Sequence, residues 1–269
     1  MTEKELLKQL EKKLNKEYDE LDEETKEEIE KFAEKIDKNK KDELEKKEYK
    51  KYLKKIFITS ALGLTLIKKL SRSATDTNVN ASKTIYEYMP KAYKIGFDGW
   101  IKELNVKYVL NMSLADKKAI EHILKGGKLL PDPKVDIPKD LKWNERRMRS
   151  SLLQSVVKGE SIPDLSKRLE NAVGMNRTSA IRNARTMAMH SFNVGRYEAG
   201  KEAIKKGIDM DKEWIAHIDD RTRQSHREIN GEVVPYDEPF SNGLMFPQDF
   251  DGDPAEVYNC RCRLGYVVK

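Results

Sequence analysis

Residues Trp214 to Leu264, WIAHIDDRTRQSHREINGEVVPYDEPFSNGLMFPQDFDGDPAEVYNCRCRL, decide how the rest of the chain is read. Both cysteines of the 269-residue chain lie in this stretch, together with two of its four histidines. Everything upstream is helix-forming and rich in charge. The period changes at the entrance, where Glu213 to Ile218 alternates as a strand does. Asp219 to Arg223 opens a short helical turn with acidic residues at its positive end. Ile229 to Val234 predicts a hairpin, because Asn230-Gly231 supplies the positive φ of a two-residue turn. Residues 235–254 are loop-rich, and Glu256 to Val268 reads as a closing strand. The expected fold class is mainly α with a small C-terminal α+β module: long charged helices followed by a hairpin-containing module.

Working outward, residues 1–55 form a charged helical arm. Its stripe of Leu6, Leu7, Leu10, Leu14, Tyr18 and Leu21 breaks near Asp22 and resumes at Ile29, Phe32, Ala33 and Ile36. Faces this narrow predict an arm that is solvated or docked on a partner. Residues 56–140 form a helical region. In it a helix over 42–72 turns apolar at Ile56, the polar stretch from Ser71 to Asn80 breaks it, and a second helix over 80–104 is kinked or bounded at Pro90. A short helix over 113–124 is stopped by Gly126 and Gly127, and the three prolines between Pro131 and Pro138 mark the main domain boundary. Residues 141–210 are helical again. Asn144 caps a helix ending at Gly159, Ser161 caps another ending at Gly174, and Asn176 or Thr178 begins a long one ended by Gly207. Residues 211–269 are the small α+β module.

The net charge of +6 is unevenly spread. Residues 56–200 carry 25 Lys and Arg against 14 Asp and Glu, an excess of +11, while the flanks are close to neutral or mildly acidic. Such a middle segment fits a polyanion or an acidic protein surface, as well as a generally lysine-rich composition. The arginines 177, 182, 185 and 196 share one long helix and fit carboxylates of neighbouring helices before phosphates. Two cysteines one residue apart make no disulfide framework and indicate a reducing compartment. No apolar segment of signal type opens the chain. The longest apolar run, Ile56 to Ile67, is shorter than the roughly 20 residues a membrane span needs, so it predicts a core helix.

Chemistry concentrates at the C-terminal end. Cys260 and Cys262 on a strand would point to the same side, and with His226 and one of Asp219, Asp220 or His217 they make a ligand set suited to a structural Zn2+. Against this stand two small buried thiols and a histidine bonded to a loop. Two catalytic alternatives use the same residues: a cysteine nucleophile with His226 as base, and a metal-dependent carboxylate site of Asp219, Asp220 and His226. The chain lacks a phosphate-binding glycine loop, a dinucleotide fingerprint and a serine-hydrolase elbow.

One co-linear set of residues is more specific than any of these pieces. Trp214, then Asp220, Arg221, Thr222, Arg223, His226, Asn230 and Gly231, then Pro247 and Asp249, then Asn259, Cys260, Arg261 and Cys262, resembles the phage head morphogenesis family. These are the minor head proteins similar to the Mu F protein. Ala184, Arg185 and Thr186, followed by Asn193 and Gly195, fit the same resemblance, which covers roughly residues 145–265. The segment after Asn242 departs from the regular Pro-Gly-Asp turn expected there. The resemblance implies a virion head component, present in the host cytoplasm during assembly. It also implies that residues 141–210 are the helical part of the head-morphogenesis domain. The partners implied are the portal protein or the major capsid protein, with non-specific contact to packaged DNA, and no enzymatic activity.

Overall fold

The computed structural model describes residues 1–35, 46–56, 60–108, 113–114, 137–158, 160 and 162–269. Among the described residues five helices come first: α1 (Glu3–Glu34), α2 (Lys46–Lys54), α3 (Ala61–Tyr108), α4 (Ile137–Lys158) and α5 (Ile162–Lys205). There follow β1 (Met210–Ile215), α6 (Gln224–Glu228), β2 (Val233–Pro235), α7 (Pro254–Val257) and β3 (Arg263–Val268). The expected class, mainly α with a small C-terminal α+β module, is what the chain adopts. Residues 115–124 of the helix expected over 113–124 and the linker prolines 131 and 133 lie outside the described residues. Among the described residues no helix is long and apolar enough to cross a membrane.

The chain divides into two compact units, one of Lys12–Lys83 and Lys134–Ile181, the other of Met1–Glu11, Thr84–Pro133 and Arg182–Lys269. The first is a helical bundle. Leu14, Tyr18, Leu21, Ile29 and Phe32 of α1 are buried in it with Leu66, Ile67 and Leu70 of α3, Met148 and Leu152 of α4, and Leu165 and Leu169 of α5. The stripe expected to serve an arm that is solvated or docked on a partner is, from Leu14 to Phe32, buried within this unit. It does not break at Asp22, because Thr25 continues the buried face and Arg177 receives the carboxylates of Asp19 and Asp22 at 2.8 and 2.7 Å.

Three further helix boundaries differ from expectation for related reasons. Ser71 to Asn80 stays helical: Thr75 Oγ1 donates back to the Ser71 carbonyl at 2.8 Å, so the hydroxyl is satisfied within the helix. Asn144 is no cap but a buried interior residue, since α4 starts at Ile137; its amide donates to Thr75 Oγ1 at 3.0 Å. Gly174 does not end α5, because Asn176 donates to Asn144 at 3.3 Å and Arg177 is anchored by its ion pairs, so tertiary bonds override the local stop signal. Pro90 likewise lies inside α3. Of the helix expected over 42–72, the described residues carry α2 to Lys54 and α3 from Ala61, where Ser60 Oγ accepts the Gly63 amide at 3.2 Å; residues 42–45 and 57–59 lie outside them.

In the second unit, α3 and α5 approach backbone to backbone. A Cβ on Gly96 would lie 2.0 Å from the Phe192 carbonyl oxygen, and one on Gly195 would lie 2.2 Å from that of Tyr93. Only glycine fits at this crossing. Gly207, at φ +86°, ends α5 as expected: its amide bonds to the Ile204 carbonyl and that of Ile208 to the Ala203 carbonyl, the double closure of a Schellman turn. The chain then enters an antiparallel three-stranded sheet of order β2-β1-β3. Lys212 pairs with Tyr266 and Trp214 with Leu264 across β1 and β3. The buried face of the sheet joins a core of Tyr93, Phe97, Trp100, Ile101 and Leu104 from α3 and Val194, Ala199 and Ala203 from α5. Arg196 donates to the Leu264 carbonyl and Tyr266 Oη to the Arg196 carbonyl, pinning β3 to α5.

The antiparallel β1–β2 pair is present, but Asn230-Gly231 is not its two-residue turn. The connection between the strands runs through α6, and only Gly231 of the two residues has positive φ. Asn230 Oδ1 instead accepts the Ala216 amide at 2.9 Å, while the Gly231 amide bonds to the Trp214 carbonyl. The dipeptide ties the end of α6 back to β1.

Candidate metal centre

Cys260 and Cys262 precede β3 and are not part of it. Their side chains nevertheless converge on one residue, and Asn259 just before them takes φ +61°, a left-handed conformation that asparagine tolerates. Their carbonyls are held from behind. Gln248 Nε2 donates to the Cys260 carbonyl and Asn193 Nδ2 to that of Cys262 at 3.1 Å, and Asn193 Oδ1 accepts the Leu264 amide at 3.0 Å. Asn193 also donates to Gln248, whose own carbonyl lies 2.7 Å from His190 Nδ1. The Asn259 amide donates to Thr186 Oγ1 at 3.2 Å.

With the loop fixed from α5, the two sulfurs converge on His226 of α6. Its Nδ1 lies 3.5 Å from Cys260 Sγ and 3.4 Å from Cys262 Sγ. The three ligand atoms all lie within 4.8 Å of one another, and none of the three residues is more than 3% exposed. The Cys262 amide points at Cys260 Sγ at 3.4 Å. His226 Nε2 lies 2.8 Å from Glu256 Oε2, close but too bent for a straight hydrogen bond, and Ser225 Oγ donates to the same carboxylate at 2.9 Å. Trp214 meets the imidazole edge-on at 5.1 Å. Cys262 is pulled down, chiefly by the adjacent Cys260 thiol with His226 adding, and Cys260 is pushed up.

The structure does not bring Asp220 to this group: Asp220 and Arg221 are exposed. The neighbouring Asp219 has a different task. It forms a two-pronged ion pair with Arg261, which together with the Arg221 amide holds its carboxyl well below the usual range. His217 stands exposed, with Nε2 3.8 Å from Asp219. Thr222 Oγ1 donates to the His217 carbonyl and accepts the Asp219 amide, and Arg223 donates to the Tyr258 carbonyl. Asp249 accepts the amides of Met245 and Asp251, and Pro247 is buried beside it. Among the described residues no fourth His, Cys, Asp or Glu joins the three.

Sequence reasoning missed Glu256, Gln248 and Lys212. Nothing in the order of residues announces the first two. Lys212 had a signal, since alternation from Met210 to Trp214 puts position 212 on the inner face of β1. Its amine is buried, donates to the Met245 carbonyl at 2.9 Å and lies 5.3 Å from the Phe240 ring. Burial pushes it down to about 8, opposed by Asp237 and Asp249.

Residues 146–265 match the family model described as Phage Mu protein F like protein. The chain is 28% identical over 145 residues to the minor head protein GP7 of Bacillus phage SPP1, covering 51% of this chain and 47% of that protein. It is also 28% identical over 194 residues to a protein of Enterococcus faecalis named NAD(+)--arginine ADP-ribosyltransferase EFV, covering 69% of this chain and 39% of that one. A protein of Haemophilus influenzae is 29% identical over 126 residues, 43% of this chain and 23% of its own length. The chain therefore spans less than half the length of each of these relatives. No solved structure matches it.

Proposed function

We propose that the chain, whose residues 146–265 match the phage Mu F-like family model, is a minor head component acting in phage head morphogenesis. It works through protein contacts near the portal, assembles in the host cytoplasm, stays in the virion head and catalyses no reaction. One observation carries this reading. Most residues of the family-like pattern spend their polar groups inside the terminal unit: Thr186 on Asn259, Asn193 on the cysteine loop, Arg261 on Asp219, Asn230 on Ala216, with Asp220 and Arg221 left exposed. A set of residues so committed builds a scaffold. His226, Cys260 and Cys262 are buried, so neither a nucleophile nor a base meets a substrate there. The activity in the Enterococcus protein's name stays with that protein, of which the matched part is 39%.

Non-specific DNA contact is the secondary role, favoured by the excess of +11 over residues 56–200. Arg177, Arg185 and Arg196 are engaged within the chain. The exposed Lys142, Arg146 and Arg149 of α4, at helical spacing, are the groups that would meet phosphates. That contact would weaken steeply with salt.

The test uses the full chain, because Tyr93 to Leu104 of α3 belong to the core of the terminal unit and a truncation before residue 141 would open it. Mass spectrometry of purified heads from the encoding phage, and pull-down of the portal protein by the tagged chain, should both find the pair. Heads that lack the chain, with no portal capture, would overturn the proposal.

A further inference from the structure

We propose that His226, Cys260 and Cys262 bind one Zn2+ through Nδ1 and the two thiolates, with a solvent molecule as fourth ligand, and that the ion is structural. Distance comes first. Zinc holds sulfur at about 2.3 Å and imidazole nitrogen at about 2.0–2.1 Å, so a tetrahedral centre separates sulfur from nitrogen by roughly 3.5 Å. The two separations here are 3.4 and 3.5 Å. A proton on or near Nδ1 serves one partner at a time and gives no reason for two equal distances. A shared ion does.

The surroundings agree with that assignment. If Nδ1 binds the metal, Nε2 carries the proton, and Nε2 is the atom beside the Glu256 carboxylate at 2.8 Å. A carboxylate behind a ligating histidine fixes its tautomer and raises its basicity. Glu256 is in turn held by Ser225 on the same short helix as His226. The amide of Cys262 aimed at Cys260 Sγ stabilises a thiolate. Two thiolates, one neutral imidazole and a divalent ion sum to zero charge, which suits a site this deeply buried. A soft donor set of two sulfurs and one nitrogen selects zinc over the oxygen-seeking Mg2+ and Ca2+. Asp219, Asp220 and His217 are excluded as fourth ligand by their places in the structure: the first pairs with Arg261, and the other two are exposed. Burial of all three ligands makes the role structural, joining α6 to the loop before β3.

The proposal does not depend on the head-assembly reading, because its readout is metal. The full chain, reconstituted with zinc and passed through a desalting column, should retain one zinc per chain by mass spectrometry. Cobalt in its place should show a thiolate charge-transfer band. Cys260→Ser with Cys262→Ser should retain none. Because that variant also removes core contacts, Glu256→Gln provides a second arm. It should stay folded by circular dichroism, keep the cobalt band and lose affinity about 10–100-fold in chelator competition. A folded wild-type chain that retains no zinc, or a double serine variant that retains it fully, would overturn the proposal. So would unchanged affinity in Glu256→Gln.

Discussion

The helical bundle and the terminal unit solve the same problem by different means. In the bundle, burial is decided by a repeating pattern. Leu14, Tyr18, Leu21, Ile29 and Phe32 recur at helical spacing, and polar groups such as Asn144 and Asn176 supplement an apolar core. In the terminal unit, single residues with one permitted partner decide the path of the chain. Gly96 and Gly195 admit no side chain, Asn193 serves two backbone groups and Gln248, and Asn259 must take a left-handed turn. The first kind of structure tolerates change that respects volume and pattern. The second does not.

The sharpest way to break that contrast is Gly195→Ala. Its methyl group would sit against the Tyr93 carbonyl and the Phe97 amide, which are backbone atoms unable to rotate away. We expect a loss above about 3 kcal/mol in urea unfolding, or no soluble protein at all. A mild loss would mean that α3 and α5 separate easily. Shape-conserving swaps come next. Asn193→Leu keeps the volume but strands the Leu264 amide and the Cys262 carbonyl in the interior, at a cost of about 3 kcal/mol. Leu14→Met in the bundle should cost less than about 1.5 kcal/mol. Equal losses would erase the distinction between the two regions.

Lys212 sharpens it through pH. Its folded value of about 8 lies below the ordinary lysine value of 10.5, so between these the unfolded chain holds more protons and stability rises with pH. Lys212→Met should flatten the rise between pH 8 and 10 by about 2 kcal/mol. A wild-type slope that the substitution leaves unchanged would assign it to another group. The smallest effect belongs to Arg185→Ala. Its partner is Glu11, and its side chain is 51% exposed, so thermal unfolding should register less than about 1 kcal/mol.

These differences also explain what the sequence disclosed. A stripe is a sum over many residues, so the buried face of α1 was legible, whereas the short alternation from Glu213 to Ile218 placed β1 three residues late and hid Lys212. Stop signals are local and were overridden where a tertiary bond satisfied the polar group, as with Thr75, Asn144 and Asn176. His226, Cys260 and Cys262 come together as expected from their types, but in a loop before β3 and not on the strand that alternation suggested. Asp220 was paired with them because it shares their neighbourhood in sequence; one residue earlier, Asp219 meets Arg261 from the cysteine loop. Glu256 could not be read at all, since its relation to His226 exists only after α6 and α7 are folded together.

The central claim is that the His226–Cys260–Cys262 cluster holds the terminal module together. Hydrogen exchange, followed by mass spectrometry on the wild-type chain and on Cys260→Ser with Cys262→Ser, tests it most directly. The account predicts faster exchange concentrated in residues 210–269, with protection kept in α1 from Lys12 to Glu34 and in α3 from Ala61 to Lys83. Unchanged protection in the module, or an equal loss throughout both units, would contradict it.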